Sequence, residues 1–262
     1  MLIGRTVNTN AHWVGRRLAL MGTMIARIAT VDDELEEISA SVREALSRRS
    51  DFLIAIGGLG PTPDDMTLEG IARGLGKKMK LSRQALDLIR EHYKGIGRGD
   101  FEITPARRKM AVLPEGSTPL PNQEGTAPGV RIASGVTTIF CLPGVPVEMR
   151  SIFRGSVEGE IRAKIGRLYR EARRLRLEGI YESALAPMIG RELKKHPGAY
   201  IKSHPRGVKD GVSRIILDMV VVNSRRAKAK REVQEIADEL TLGVRGGGGR
   251  ILSAAGAHAV KG

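Results

Sequence analysis

The sequence predicts an α/β chain: a doubly wound domain over residues 1–166, then a small α+β domain over residues 167–262. Three observations predict it. Apolar segments of strand length alternate with segments of helical periodicity through the first 166 residues. Glycine turns accompanied by carboxylates or hydroxyls stand directly after several of those strands. Beyond residue 166 the order becomes β-α-β-β-α, the pattern of a split βαβ module.

Taken in chain order, Asn8 or Asn10 can cap a first helix whose inward face is Ala11, Val14, Leu18 and Met21, closed by Gly22. "TMIARIATV" (23–31) alternates like a strand and stops at Asp32–Asp33. Leu35, Ile38, Val42 and Leu46 mark a second helix. "DFLIAIGG" (51–58) has almost no polar face, as a parallel strand covered on both sides would. Helices follow over about 67–75 and 82–93, with a short one at "PARRKMA". "VRIAS" and "VTTIFCLPG" read as two strands joined at Gly135, and Pro146 opens a long helix. In the second domain "RRLRLEGI", "AYIKSH" and "SRIILDMVVV" read as strands. "SALAPMIGRELKKH" and "RAKAKREVQEIADEL" read as helices, and a last short strand follows the glycine run 246–249.

Hydrophobic residues make up 41% of the chain and aromatics only 3%, so the core is aliphatic. No apolar run approaches the roughly 20 residues that span a bilayer, which excludes a transmembrane helix. Cys141 stands alone, in "TTIFCLPG", and is expected buried in a strand, with no intrachain disulfide. Nothing at the N-terminus resembles a signal peptide, so the expected location is the cytoplasm. The net charge of +14 suits an anionic partner. The basic residues are dispersed and lack interleaved aromatics, so a small phosphorylated ligand is expected rather than specific nucleic acid or a membrane, and a homo-oligomer is left open.

Four stretches can carry chemistry. In "IAIGGLGPTPDD" (54–65), Gly57, Gly58 and Gly60 follow a strand at the carboxyl edge of an open sheet, where such sheets bind ligands, and Asp64 and Asp65 stand before a helix. The plain alternative is a tight turn whose aspartates cap that helix. In "LPNQEGTAPGV" (120–130), Gly125, Thr126, Ala127 and Gly129 can form a backbone nest for an anion, with Asn122 a further ligand-binding candidate, or the stretch is a plain surface loop. In "LPGVPVEM" (142–149), Gly144 and Glu148 again place strand, glycine and helix start together, although Glu148 also complements a helix dipole. Asp32 ends a strand or caps a helix.

"IGRTVNTN", "GGLGPTPDDMT", "PNQEGTAPG" and "LPGVPVEM", in this order, resemble the N-terminal domain of the CinA-like competence/damage-inducible proteins, within the wider MoaB/MogA-like molybdopterin-binding family. The resemblance covers about residues 1–166. It implies a three-layer α/β/α fold binding a phosphorylated pterin or nucleotide at the carboxyl edge of the sheet. CinA-type relatives hydrolyse ADP-ribose with a divalent metal, and MogA-type relatives adenylylate molybdopterin. Carried over residue by residue, Asp65 and Asp32 become the catalytic and metal-holding carboxylates, with Mg²⁺ the expected ion. Gly57, Gly58 and Gly60 become the phosphate-facing turn, and Gly125, Thr126 and Gly129 the second anion loop. The resulting expectation is a metal-dependent pyrophosphatase acting on ADP-ribose-like substrates. A molybdopterin adenylyltransferase, or a binding module without catalysis, stands beside it.

Two departures qualify the resemblance. Residues 167–262 lack the serine motif of the CinA amidase, so nicotinamide mononucleotide deamidation is not expected, and His196 and His204 read as structural. The family's opening apolar strand and acidic turn have no counterpart before "LIGRTVNTN", so the strands "TMIARIA" (23–29) and "DFLIAI" (51–56) are expected to pair differently or leave a gap, with a native start upstream of Met1.

Overall fold

The computed structural model describes residues 2, 4–95 and 102–256, and it divides into two compact units. One comprises Met1–Leu18 with Met24–Lys164, the other Ala19–Thr23 with Ile165–Gly262.

The first unit begins with α1 (Thr9–Leu20), then α2 (Leu35–Ser47), β1 (Phe52–Ile56), α3 (Thr67–Gly74), β2 (Met79–Leu81) and α4 (Arg83–Gly95). It continues with α5 (Pro105–Lys109), β3 (Val112–Pro114), β4 (Thr118–Leu120), β5 (Gly129–Ser134) and β6 (Thr137–Leu142). A last helical run comprises α6 (Pro146–Ile152), a π-helical turn at Phe153–Val157 and α7 (Glu158–Ile165). Asn8 Oδ1 accepts the Ala11 N–H at 2.9 Å, so Asn8 is the residue that caps α1.

The main sheet has the order β1-β6-β5-β4. Strands β1 and β6 are parallel, with Ile56 opposite Leu142, so both carboxyl ends lie at one edge. Strands β5 and β6 form an antiparallel hairpin turned at Gly135 (φ 57°). Every residue of β6 is buried. Ile139 and Cys141 join the core made by α2, α3 and α4, with Ile38, Val42, Ile71 and Ile89. Phe140 and Leu142 alternate onto the other face, where Met149, Ile152, Phe153 and Ile161 of the α6–α7 run are equally buried. The result is three layers, α/β/α.

One expectation fails here. Residues 23–31 form no strand: Met24 is 96% and Ile28 60% exposed. Strand β1 is parallel as expected and touches both faces, Leu53 and Ala55 packing on the α2–α4 core and Phe52 on Phe140. It is only half-buried along its length because, among the described residues, β6 is its single ladder neighbour. Alternation marks a segment that can extend. A strand also requires a ladder, and residues 23–31 form none, so among the described residues the outer edge of β1 stays open. The short strands β2, β3 and β4 carry too little pattern to be read from sequence.

The second unit has β7 (Tyr169–Glu178), α8 (Glu182–Lys195), β8 (Ala199–Lys209), β9 (Val212–Asn223), α9 (Arg226–Gly246) and β10 (Arg250–Gly256). Its antiparallel sheet has the order β10-β7-β9-β8, which completes the split βαβ pattern with a fourth strand. Both helices cover one face, packing Leu185, Val233, Ile236 and Leu240 on Leu175, Leu177 and Leu217. Among the described residues no helix is long and apolar enough to cross a membrane.

Candidate functional site

Because β1 and β6 run parallel, the turns that leave them meet. The Gly57 N–H donates to Leu142 O at 2.9 Å, and a Cβ placed on Gly144 would lie 3.4 Å from Gly57 Cα. Asn10 reaches the same edge, its Nδ2 donating to Gly144 O at 2.7 Å while its Oδ1 is buried without a partner. The "NTN" stretch, read from sequence only as a cap, thus supplies one cap and one tie to the third motif.

The turn after β1 depends on glycine at two places. Gly57 (φ 100°) and Gly58 (φ 66°) lie in the left-handed region, and a Cβ on Gly58 would sit 2.2 Å from Thr67 Oγ1. Gly58 O accepts the Thr67 N–H at 3.3 Å, which closes the turn onto the first residue of α3. Neither aspartate caps that helix: Met66 occupies the cap position and no side chain bonds there. Asp65 Oδ2 instead accepts from Thr62 N (2.9 Å) and Thr62 Oγ1 (2.6 Å), folding the carboxylate against Gly60. A Cβ at Gly60 would meet that oxygen at 2.5 Å. Asp64 is exposed.

Beside this turn a cleft of about 270 Å³ opens between the β1–α3 turn and the α5–β3 segment. Gly58, Gly60, Asp65 and Lys109 form its polar rim, and Met79 and Met110 belong to its apolar wall. Lys109 Nζ donates to Thr62 O. The sequence reading missed Lys109; the signal was present in "PARRKMA", whose three consecutive cations crowd one short helix ahead of a strand.

The second and third motifs are tied by one carboxylate. Glu148, in the first turn of α6, accepts from Asn122 Nδ2 at 2.7 Å, and the same amide donates to Ala127 O at 2.8 Å. A Cβ on Gly125 would fall 2.3–2.6 Å from the Glu148 carboxyl group. Thr126 Oγ1 lies 3.5 Å from Tyr93 Oη, and Arg107 stacks over the Tyr93 ring at 4.5 Å. Gly129 is a buried strand residue opposite Leu120, where a Cβ would meet Ile152 at 3.0 Å. The loop expected to cradle an anion thus encloses a glutamate, and its last glycine serves packing.

Asp32 is exposed, and its Oδ1 accepts the Asp33 N–H at 3.0 Å in the unpaired segment. Among the described residues no group of three or more His, Cys, Asp or Glu is gathered so as to hold a metal ion. Asp32 and Asp65 thus belong to no such larger cluster. Cys141 is fully buried, and burial pushes its thiol up to about 12. His196 contacts Glu232 at 3.2 Å and His204 contacts Asp218 at 3.4 Å, both in the second unit.

Relatives extend along nearly the whole chain. A protein of Sulfurisphaera tokodaii is 40% identical over 256 residues, 97% of this chain and 95% of its own. One of Pyrobaculum arsenaticum is 38% identical over 240 residues, 92% of this chain and 89% of its own. Among solved structures, the protein CinA with unknown function from Thermoplasma acidophilum is 41% identical, with a TM-score of 0.56. It covers 61% of this chain and 92% of its own. The family model described as "Probable molybdopterin binding domain" matches residues 1–163. The chain belongs to that molybdopterin-binding domain family, and its first unit is CinA-like.

Proposed function

We propose that the first unit binds a phosphorylated pterin or nucleotide in the cleft beside the Gly58–Gly60 turn. One observation carries this reading: the cleft joins an apolar wall to a rim of backbone and Lys109 at the carboxyl edge of a parallel strand. A flat heterocycle suits Met79 and Met110, and a phosphate suits the Gly58–Gly60 backbone and the Lys109 ammonium. Molybdopterin combines both features, as does ADP-ribose.

Hydrolysis of an ADP-ribose-like diphosphate is the catalytic reading, and it rests on Asp65 lining the same cleft as Lys109. Asp65 orients a water toward phosphorus, and Lys109 carries the negative charge that develops on the phosphoryl oxygens. Adenylylation of molybdopterin uses the same phosphate contacts with a second nucleotide. The test is calorimetric titration with ADP-ribose and with molybdopterin, each with and without Mg²⁺. Product analysis follows with ADP-ribose, with molybdopterin plus ATP, and with nicotinamide mononucleotide. Binding weakened about tenfold or more by Lys109→Ala is expected, given ~1.5–3 kcal/mol for a hydrogen bond to a charged group. No binding of either ligand, or binding indifferent to Lys109→Ala, overturns the reading.

A further inference from the structure

Positive charge is unevenly divided along this chain. Residues 165–262 carry 20 Lys and Arg against 10 Asp and Glu, whereas residues 1–164 carry 23 against 19. The basic residues look dispersed in sequence, but strand register gathers five of them, Arg174, Arg176, Lys202, Arg214 and Arg250, on one surface. Helices α8 and α9 cover the face of the second sheet that presents Leu175, Leu177, Leu217 and Met219. The alternating residues form the other face, in rows across the strands.

Arg250, Glu178 and Arg214 form the first row, and Glu178 is paired to both arginines. Arg176, Ile216 and His204 make the next. Arg174, Asp218 and Lys202 follow, with Asp218 held by Arg174 at 2.6 Å and by His204 at 3.4 Å. Ala172, Val220 and Tyr200 complete the surface, and Tyr200 is 58% exposed. Both carboxylates already have arginine partners. Among the described residues Arg176 and Lys202 have no ion-pair partner, so the surplus charge faces water.

We propose that this open sheet face binds single-stranded RNA. A flat four-stranded surface cannot enter a duplex groove, but an extended strand can lie along it with bases against the sheet and phosphates over the cations. Tyr200 offers an exposed ring for a base to stack on. Half-buried Ile216 and Val220 give an apolar floor, and Arg176 and Lys202 meet the backbone. Asp218, an acceptor in the middle of a basic face, repels phosphate and receives a hydroxyl. The 2′-hydroxyl is the group that RNA offers and DNA lacks. Such contacts discriminate weakly among bases, so binding is sequence-tolerant.

The experiment is fluorescence anisotropy of the full chain with a labelled oligouridine of about 12 nucleotides, within the site sizes common for such surfaces. Tyr200→Ala should weaken binding about tenfold, and Arg176→Ala or Lys202→Ala should each lower the slope of log affinity against log salt by about 0.7. A double Lys228→Ala, Lys230→Ala variant removes exposed charge at the start of α9, off this face, and should change affinity less than threefold, or roughly 0.6 kcal/mol. Thermal melts of each variant should match the parent, since the substituted side chains are exposed. Absence of binding overturns the proposal. So do equal or tighter binding of duplex RNA or of single-stranded DNA, and equal losses from the face and α9 variants. Displacement of RNA by poly-glutamate at equal charge concentration also overturns it, in favour of an acidic protein partner.

Discussion

Gly58→Ala isolates the turn on which the candidate site is built. Two effects act together. At φ 66° an alanine sits in the left-handed region, which costs about 1–2 kcal/mol for an L-residue. Its Cβ would also lie 2.2 Å from Thr67 Oγ1 and 3.1 Å from Thr67 Cβ, closer than atoms pack. Thr67 is the first residue of α3 and donates its N–H to Gly58 O, so it cannot move without loosening the start of that helix. Relieving such an overlap costs about 1–3 kcal/mol more, giving about 2–5 kcal/mol in all. Gly57→Ala is the internal control. Its φ is 100°, but a Cβ there meets nothing within 4 Å, so only the backbone penalty of about 1–2 kcal/mol applies.

The assay is urea unfolding followed by tryptophan fluorescence. Trp13 is the single tryptophan and sits edge-on to Phe153 at 5.5 Å, so it reports the packing of α1 on the α6–α7 run in the first unit. Gly58→Ala should lower stability by at least about 1 kcal/mol more than Gly57→Ala, and adding Thr67→Ala should restore part of the loss by removing the nearest atom. Equal losses from the two glycine variants, or a Gly58→Ala protein as stable as the parent, would refute the steric account of this turn. The same variants belong in the ligand titration, where Gly58→Ala should weaken binding beyond its effect on folding.

Four further outcomes follow from the same structure. Asp65→Asn should abolish any hydrolysis of ADP-ribose while lowering stability by only about 1–2 kcal/mol, the worth of its contacts to Thr62, as read by activity and urea unfolding. Glu148→Ala leaves the Asn122 amide with one partner and a void beside Gly125, and should cost about 1–2 kcal/mol and speed proteolysis within residues 121–128. Cys141 should resist thiol reagents until the first unit unfolds, because its thiol is buried and titrates at about 12. For Glu158, burial alone raises its pKa, but hydrogen bonds from Arg162 and Arg17 outweigh it and hold the carboxyl below 4.5. A folded-state value below the unfolded one means stability is present above pH 4.5 and is lost as pH falls through the folded value. Urea midpoints from pH 6 to 3 should therefore fall less steeply for Glu158→Gln than for the parent.

Legibility in sequence followed the range of the interaction. Helical faces such as Leu35, Ile38, Val42 and Leu46 depend on local periodicity, and α2 forms where they predict it. The second unit was readable because its strands alternate cleanly and its turns are short. Residues 23–31 alternate equally well, yet form no strand, because pairing is a property of the neighbour and not of the segment. In the candidate site, glycines and parallel strand ends were legible as positions, and their contacts were not. Asn10 lies 134 residues from Gly144, and Lys109 lies 47 from Thr62, so no spacing pattern links either pair. Asp32 fits the motif and is exposed in the unpaired segment, bonded only to its neighbour.

The contacts of the glycines redistribute the chemistry along the sheet edge. A glycine in a phosphate loop leaves its Cα surface open so that an anion can approach the backbone. At Gly60 and Gly125 that space is already taken, by the carboxylates of Asp65 and Glu148. A phosphate brought to Gly125 would meet Glu148, and like charges at about 4 Å repel by roughly 4 kcal/mol near a protein surface. The loop at 121–128 is thereby expected to disfavour a bare anion, and Glu148 to favour a donor, such as the amine and amide edge of a heterocycle. At Gly57 nothing lies within 4 Å of that position, at Gly58 it is filled by the Thr67 hydroxyl, and Lys109 lines the adjoining cleft. On the proposed function, phosphate recognition is expected at the first turn, through Gly57 and Lys109. Lys109→Ala should then reduce affinity for ADP-ribose and inorganic diphosphate alike, while Glu148→Gln should reduce only that of ligands with a donor-bearing ring. If Glu148→Gln instead tightens diphosphate binding and Lys109→Ala leaves it unchanged, the anion subsite lies at Gly125 and this division is wrong.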